Sequence, residues 1–254
     1  MDNLYYDMFF GEKTTESIYP SQESINNSDK WVLYKFNSIS SFAYITNSIL
    51  IYYFTNKLYL INYLGSIISL LLGVASFFWW ASQRDLVQRI DIALYSSLIF
   101  WPGTIKLCIN YEEIEFTITS IYFILTGFLL YIFYDNELNV VCMKFRNIDI
   151  SINKNNITLL NLIGIIFSVY QVITIEIEKW IYMKIFIVFL TILGFTLKLS
   201  DTYKILPPKI CGAGTGWFHL FTALTLLFSW YLLQNINTHT NLPINNKLND
   251  IVIL

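Results

Sequence analysis

A chain of 254 residues that is 55% hydrophobic and only 13% charged lies far from a soluble domain, about one-quarter of which is charged. Its net charge of −2 argues against a nucleic-acid surface, which needs a basic excess. Three scattered cysteines, Cys108, Cys142 and Cys211, with no CxxC pair, exclude a disulfide framework and a zinc ribbon. The mean hydropathy of +0.51 and the 18% aromatic content, much of it near the ends of apolar runs, describe a chain built for a bilayer.

Residues 1–37 carry Asp2, Asp7, Glu12, Glu16, Glu23 and Asp29 and read as a water-exposed lead-in. They hold no apolar core ahead of a small-residue cleavage site, so no cleavable signal is expected. Seven apolar runs follow, at 38–55, 60–81, 90–109, 116–135, 157–176, 180–199 and 212–233. Each approaches the roughly 20 residues that a helix needs to cross hydrocarbon. The first is the most polar, with Ser38, Ser40, Ser41, Thr46, Asn47 and Ser48, side chains that suit helix–helix contact. Continuous runs of this length lack the alternation of a barrel strand and leave helices as the only spanning structure. The fold class is therefore all-α: a polytopic seven-helix membrane domain over 38–233, with a mobile tail over 234–254. No internal repeat of the transporter kind is visible.

Lys13, Lys30, Lys35, Arg84, Arg89, Lys144, Arg146, Lys154, Lys198, Lys204 and Lys209 fall on the side of the amino terminus, against Lys57, Lys106, Lys179, Lys184 and Lys247 on the other. The positive-inside bias places the amino terminus in the cytosol.

The stretch Gly73–Asp91 turns at that face through Gln83, Arg84 and Asp85, and gathers Ser76, Gln88 and Asp91 there. Alternating helix direction brings Asp201, Thr215 and His219 to the same face. An acid, a serine and a histidine at one depth in a bundle can bind metal, move protons or form a polar lock, and an acid in an apolar run marks function by default. Each also has a plain structural reading. Ser76 can be a packing residue bonded to the preceding turn, Asp91 a helix cap, His219 a satisfied core side chain, and Trp79 and Trp80 interfacial anchors. Gly212, Gly214 and Gly216 have no strand before them and no lysine after them, so close helix packing explains them better than phosphate binding.

Gly73-x-x-Ser76, Trp80, Ser82, Gln88, Asp91 and Tyr95-Ser96, together with Pro207-Pro208 leading into TGWFHLFTAL, resemble the alkaline ceramidases. These belong to a superfamily of seven-helix membrane hydrolases that also includes adiponectin-receptor-like proteins. The resemblance covers residues 38–233 by helix order and is specific in those two stretches. In that family a second-helix Ser is followed four residues later by a zinc-ligand His. An Asp stands eleven residues beyond it, and the last helix supplies His-x-x-x-His. The metal-held water attacks the ceramide amide, helped by the Asp and Ser.

The resemblance assigns Ser76 and Asp91 as catalytic and His219 as a metal ligand, with Asp201 a further candidate. Trp80 and Thr215 stand at the other two imidazole positions. Catalytic zinc needs about three protein ligands and an open position, so no cofactor is expected beyond the zinc that the resemblance implies. The family's acidic amino-terminal calcium pattern is absent. The resemblance implies a membrane lipid, ceramide or another long-chain lipid, as partner, and residence in endoplasmic reticulum or Golgi membrane. Two functional readings follow: a divergent amide hydrolase, or a catalytically silent ceramide-binding relative, the one that the replaced imidazoles favour. The alternative from another class is a membrane-organising or receptor-like seven-helix protein. A retinal protein is disfavoured, because the last apolar run has no lysine for a Schiff base.

Asn26 and Asn156 lie in glycosylation acceptor triplets on the side assigned to the cytosol. Neither is expected to carry sugar in a eukaryotic host. An endoglycosidase-sensitive mass shift that disappears in Asn26→Gln would reverse the orientation.

Overall fold

The computed structural model describes residues 34–55, 60–135, 142–145, 148–151, 154–175, 180–203 and 214–240, with Val32 and Ile205. Most of the lead-in, Pro207-Pro208, Cys211, Gly212 and the last residues of the tail lie outside the described residues.

The elements are α1 (Lys35–Ser40), α2 (Phe42–Phe54), α3 (Leu60–Ser82), α4 (Asp85–Asn110), a 3-10 turn at Glu112–Ile114, and α5 (Glu115–Asp135). A short antiparallel hairpin follows, β1 (Cys142–Phe145) with β2 (Ile148–Ser151), Cys142 opposite Ser151. Then come α6 (Lys154–Ile173), α7 (Ile181–Thr202) and α8 (Gly214–Thr240). Helices thus occupy all seven apolar runs. Among the described residues five are long and apolar enough to cross a membrane: α3, α4, the stretch Glu112–Ile132 around α5, α7 and α8. The apolar part of α6, Ile157–Ile173, is shorter.

Several boundaries differ from the expected ones, three of them instructively. The first run is broken at Ser41, where serine hydroxyls engage the backbone of the preceding turn as well as neighbouring helices. The Ser40 hydroxyl donates to the Asn37 carbonyl at 2.9 Å, Ser41 Oγ lies 2.9 Å from the same oxygen, and the Ser41 N–H reaches only three residues back, to the Ser38 carbonyl. The third run begins earlier than 90, at Asp85, where that acid supports the amino-terminal turn and holds Arg89 at 3.0 Å. The last helix continues past 233 to Thr240.

Between α3 and α4 the chain reverses at Gln83, whose φ of 54° is left-handed. Its side-chain amide pays back part of that strain by donating to the Trp79 carbonyl at 3.0 Å. Pro102 interrupts α4. In the turn around that proline, Ser168 of α6 engages the α4 backbone. Its hydroxyl donates to Ile99 O at 2.6 Å and accepts from Gly103 N at 3.3 Å.

The core is formed mainly by α2, α3, α4, α7 and α8 around Tyr44, Leu72, Leu98, Trp101, Ile187 and Trp230. Hydroxyls and amides stitch the helices together, as expected where apolar side chains gain nothing over lipid. Tyr44 meets Thr222 at 2.6 Å, Asn47 donates to the Ala223 carbonyl at 2.5 Å, and Ser97 meets Thr126 at 2.5 Å. At the far end of α6, the Lys184 ammonium donates to the Ile175 carbonyl and satisfies a helix terminus. The faces of α5 and α7 that carry Phe123, Ile124, Tyr182 and Ile192 are exposed and apolar, as lipid-facing surface is.

Gly65 faces the buried indole of Trp101, whose Nε1 donates to the Ile61 carbonyl at 2.9 Å. A Cβ at Gly65 falls 2.0 Å from that ring. Gly65→Ala is expected to lower the melting temperature of the detergent-solubilised protein, at a cost of about 1–3 kcal/mol from overpacking. An unchanged melting temperature would show that the α3–α4 seam is loose.

Candidate functional site

Ser76 stands on the last turns of α3 and Asp91 nearly two turns inside α4, brought together by the reversal at Gln83. The Ser76 hydroxyl donates to the Asp91 carboxylate. Ser76 in turn accepts from Ser41 at 3.0 Å. At the same break between α1 and α2, Ser40 Oγ lies 3.0 Å and Ser41 Oγ 3.5 Å from His219 Nδ1 on α8. A chain of hydroxyls therefore links His219 to Asp91 across four helices. With the Ser40 hydroxyl donating to Asn37 O, its lone pairs face Nδ1. This assigns the proton to Nδ1 and leaves the lone pair on Nε2.

The second half of the site lies between α7 and α8. The Lys198 ammonium donates to Thr215 Oγ1 at 2.9 Å and sits 5.4 Å from the ring centroid of Trp80. The Thr215 hydroxyl passes its own proton to Asp201 Oδ2 at 2.5 Å, and the Thr215 N–H donates to the same oxygen at 3.0 Å. Asp201 thus satisfies an amide at the start of α8. Lys198 also interacts electrostatically with Asp91 and His219. Trp80 closes the circle, its ring centroid 6.2 Å from that of His219.

These residues line one end of a cavity of about 480 Å³. Ser76, Trp80, Asp91, Lys198, Thr215 and His219 all contribute; Asp201 stands behind Thr215 and does not. Away from that end the walls are Ile92, Leu162, Ile165, Ile192, Phe195 and Phe218. Three buried polar atoms on lining residues have no hydrogen-bond partner among the described residues: Trp80 Nε1, Asn161 Oδ1 and Thr202 Oγ1. Buried polar atoms are seldom left so, which makes the cavity suited to a ligand with hydrogen-bonding groups. Between α6 and α7 the lining residues are also surface residues: Leu162 is 49% exposed, Ile192 62% and Leu199 49%. The cavity opens there, on the apolar flank of the bundle. A smaller cavity of about 50 Å³ continues from it, sharing Tyr95, Ile165, Thr191 and Phe195.

Among the described residues no group of three His, Cys, Asp or Glu side chains converges. At the two replaced positions, an indole has no lone pair to give in its plane and the Thr215 hydroxyl is already engaged by Lys198 and Asp201. No protein-family model, curated protein or solved structure matches the chain. What the fold and the site define, among the described residues, is a helical protein with five helices able to cross a membrane and, within the bundle, an apolar cavity with a hydrogen-bonded polar end.

Sequence reasoning brought Ser76, Asp91, Thr215 and His219 to one end of the bundle and missed Ser40, Ser41, Lys198 and Asn161. Lys198 carried a signal: it lies three residues before Asp201, on the same face of the sixth helix, yet counts there only as positive charge near a membrane surface.

Asp91→Asn and His219→Ala are each expected to destabilise the protein. Through the two serines their effects should be non-additive, coupled by about 0.5–3 kcal/mol. Strict additivity in thermal unfolding would show that the hydroxyl chain transmits nothing.

Proposed function

We propose that this chain is a seven-helix integral membrane protein of the ceramidase-like kind that holds one long-chain lipid, its amide or hydroxyl headgroup at the Asp91–Lys198 end, and that it does not hydrolyse it. The first span in this reading is the broken pair α1–α2 and the fifth is α6; the amino terminus faces the cytosol, and the membrane is that of the endoplasmic reticulum or Golgi. The observation that carries the reading is the cavity itself. Its volume of about 480 Å³ lies within the range of small-molecule sites, its body is apolar, its end is polar, and it opens on the lipid-facing flank.

The polar end supports the headgroup assignment chemically. Asp91 and the lone pair of His219 Nε2 accept, while Lys198 and Trp80 Nε1 donate, so a group bearing both a carbonyl and an N–H or O–H finds partners for each. A soluble ligand would meet no water-lined entrance at Leu162 and Ile192, whereas an acyl chain passes between α6 and α7 without leaving hydrocarbon. The silent reading rests on the donor set, in which no arrangement of the lining residues replaces the imidazoles lost at Trp80 and Thr215.

The protein purified in mild detergent is expected to carry a co-purifying lipid, identified by extraction and mass spectrometry, and to release no fatty acid from ceramide. Leu162→Trp, which narrows the opening, should lower the lipid occupancy while leaving the melting temperature close to that of the parent. Lipid occupancy unchanged by Leu162→Trp and by Phe195→Trp would count against this cavity. Fatty-acid release that is abolished in Asp91→Asn would overturn the silent assignment.

A further inference from the structure

The small cavity of about 50 Å³ extends the large one deeper into the bundle, with Tyr95, Ile165, Thr191 and Phe195 as the shared neck. One face of each lining helix runs through both. On α8 it carries Thr215, His219, Thr222, Leu226 and Ser229, and on α6 Thr158, Ile165, Ser168 and Val172, at the three- and four-residue steps of a single helix face. From Thr215 to Ser229 the helix axis advances about 21 Å at 1.5 Å per residue. One leaflet of hydrocarbon, half of a bilayer core, is about 15 Å deep. With a headgroup in the first turn of that face, the length left is that of one extended acyl chain.

The deep chamber differs from the large cavity in being closed and in being apolar despite its residue types. None of its lining residues is exposed, whereas Leu162, Ile192 and Leu199 of the large cavity are. Just past Val172 and Ile187 the Lys184 ammonium donates to the Ile173 and Ile175 carbonyls and ties α7 to the end of α6. The wall contains small hydroxyl residues, which leave room that longer side chains would fill. Their polarity is turned away from the space. The Ser168, Thr191 and Thr222 hydroxyls donate to the Ile99, Ile187 and Phe218 carbonyls at 2.6, 2.8 and 2.7 Å. What remains to face an occupant is almost wholly carbon.

We infer that this chamber is the blind end of a lipid channel, that it seats the terminal methyl of the bound chain, and that its floor at Val172, Ile187 and Ser229 sets the longest chain the protein accepts. The inference rests on the lipid-binding reading above and adds to it a limit on length. A shorter chain leaves the chamber empty and forfeits its contacts. A longer one has no exit at the floor and must buckle or withdraw its headgroup from the polar end.

The test uses the full chain in mild detergent with an equimolar series of saturated N-acylethanolamines of graded length, whose headgroup carries an amide and a hydroxyl. Native mass spectrometry reads the occupancy of each length. In the parent, occupancy should hold or rise with length and then fall about tenfold or more once the chain outruns the floor, the usual cost of overpacking. Ser229→Leu and Thr225→Leu each fill part of the chamber and should move that fall to shorter chains, while the shortest probes bind as they do to the parent. Melting temperatures establish that the variants are folded. No fall in the parent, or a fall left in place by both folded variants, would overturn the length limit and leave the lipid-binding reading standing. No occupancy at any length would overturn that reading and the inference with it. Thr225 Oγ1 is buried in the chamber wall without a hydrogen-bond partner among the described residues, so a chain ending in a hydroxyl is the rival occupant. A probe of the preferred length bearing a terminal hydroxyl is expected to bind more weakly than its plain counterpart; tighter binding would overturn the methyl seat.

Discussion

The two hydrogen bonds that Asp201 accepts from Thr215 set the register on which the site depends. They satisfy one of the amides that a helix leaves bare at its start, and they do so with a charged acceptor. α8 begins where α7 ends its approach: a Cβ at Gly214 would fall 2.6 Å from the Leu197 carbonyl, so only glycine lets the backbones come this close. With Thr215 fixed, His219 follows one turn later and faces the break between α1 and α2. Lys198, one turn before Asp201 on the same face of α7, is delivered to the other side of Thr215. One junction thus orients the imidazole, the ammonium and the hydroxyl between them.

The environment explains why so much of the remaining chemistry is done by hydroxyls. A helix in an apolar setting cannot spend charge freely, and each buried polar group needs a partner. Serine and threonine meet that demand at small volume: one bond to their own backbone, a second to a neighbour. Ser41 reaches both Asn37 O and Ser76, and Thr222 reaches both Phe218 O and Tyr44. Such bonds contribute about 1 kcal/mol each, so the bundle is held by many modest links and not by one strong lock.

Much of the architecture was legible from apolar run length, because length against bilayer thickness is a strong constraint. The reversal at Gln83–Asp85 was also visible, as a polar interruption between two long runs. The break at Ser41 was not. A run of serines is equally compatible with tight helix packing, and these serines do both: Ser40 closes on Asn37 O while Ser41 reaches Ser76. The start of α4 was misplaced for a related reason. Arg84, Asp85 and Arg89 lower the hydropathy of the turn, while the ion pair between Asp85 and Arg89 makes that polar stretch a good helix. Lys198 was hidden by the rule that found the orientation, since counting basic residues treats each one as solvent-facing. Asn161 sits in a run with no acid or base to draw the eye; its place in the cavity wall follows from which face of α6 meets α7.

The bond between Ser168 and the turn at Pro102 has a mechanical consequence. At Ile99 and Gly103 the α4 backbone offers an acceptor and a donor, and one α6 hydroxyl takes both. α6 is hydrogen-bonded to α4 at this latitude and packs on it toward its other end, where Ile157 meets Ile92 and Ala93, while Thr158 and Leu162 line the opening toward α7. Sliding of α6 along α4 would break both bonds at once. The depth at which Leu162 meets the opening is thereby indexed to Ser168.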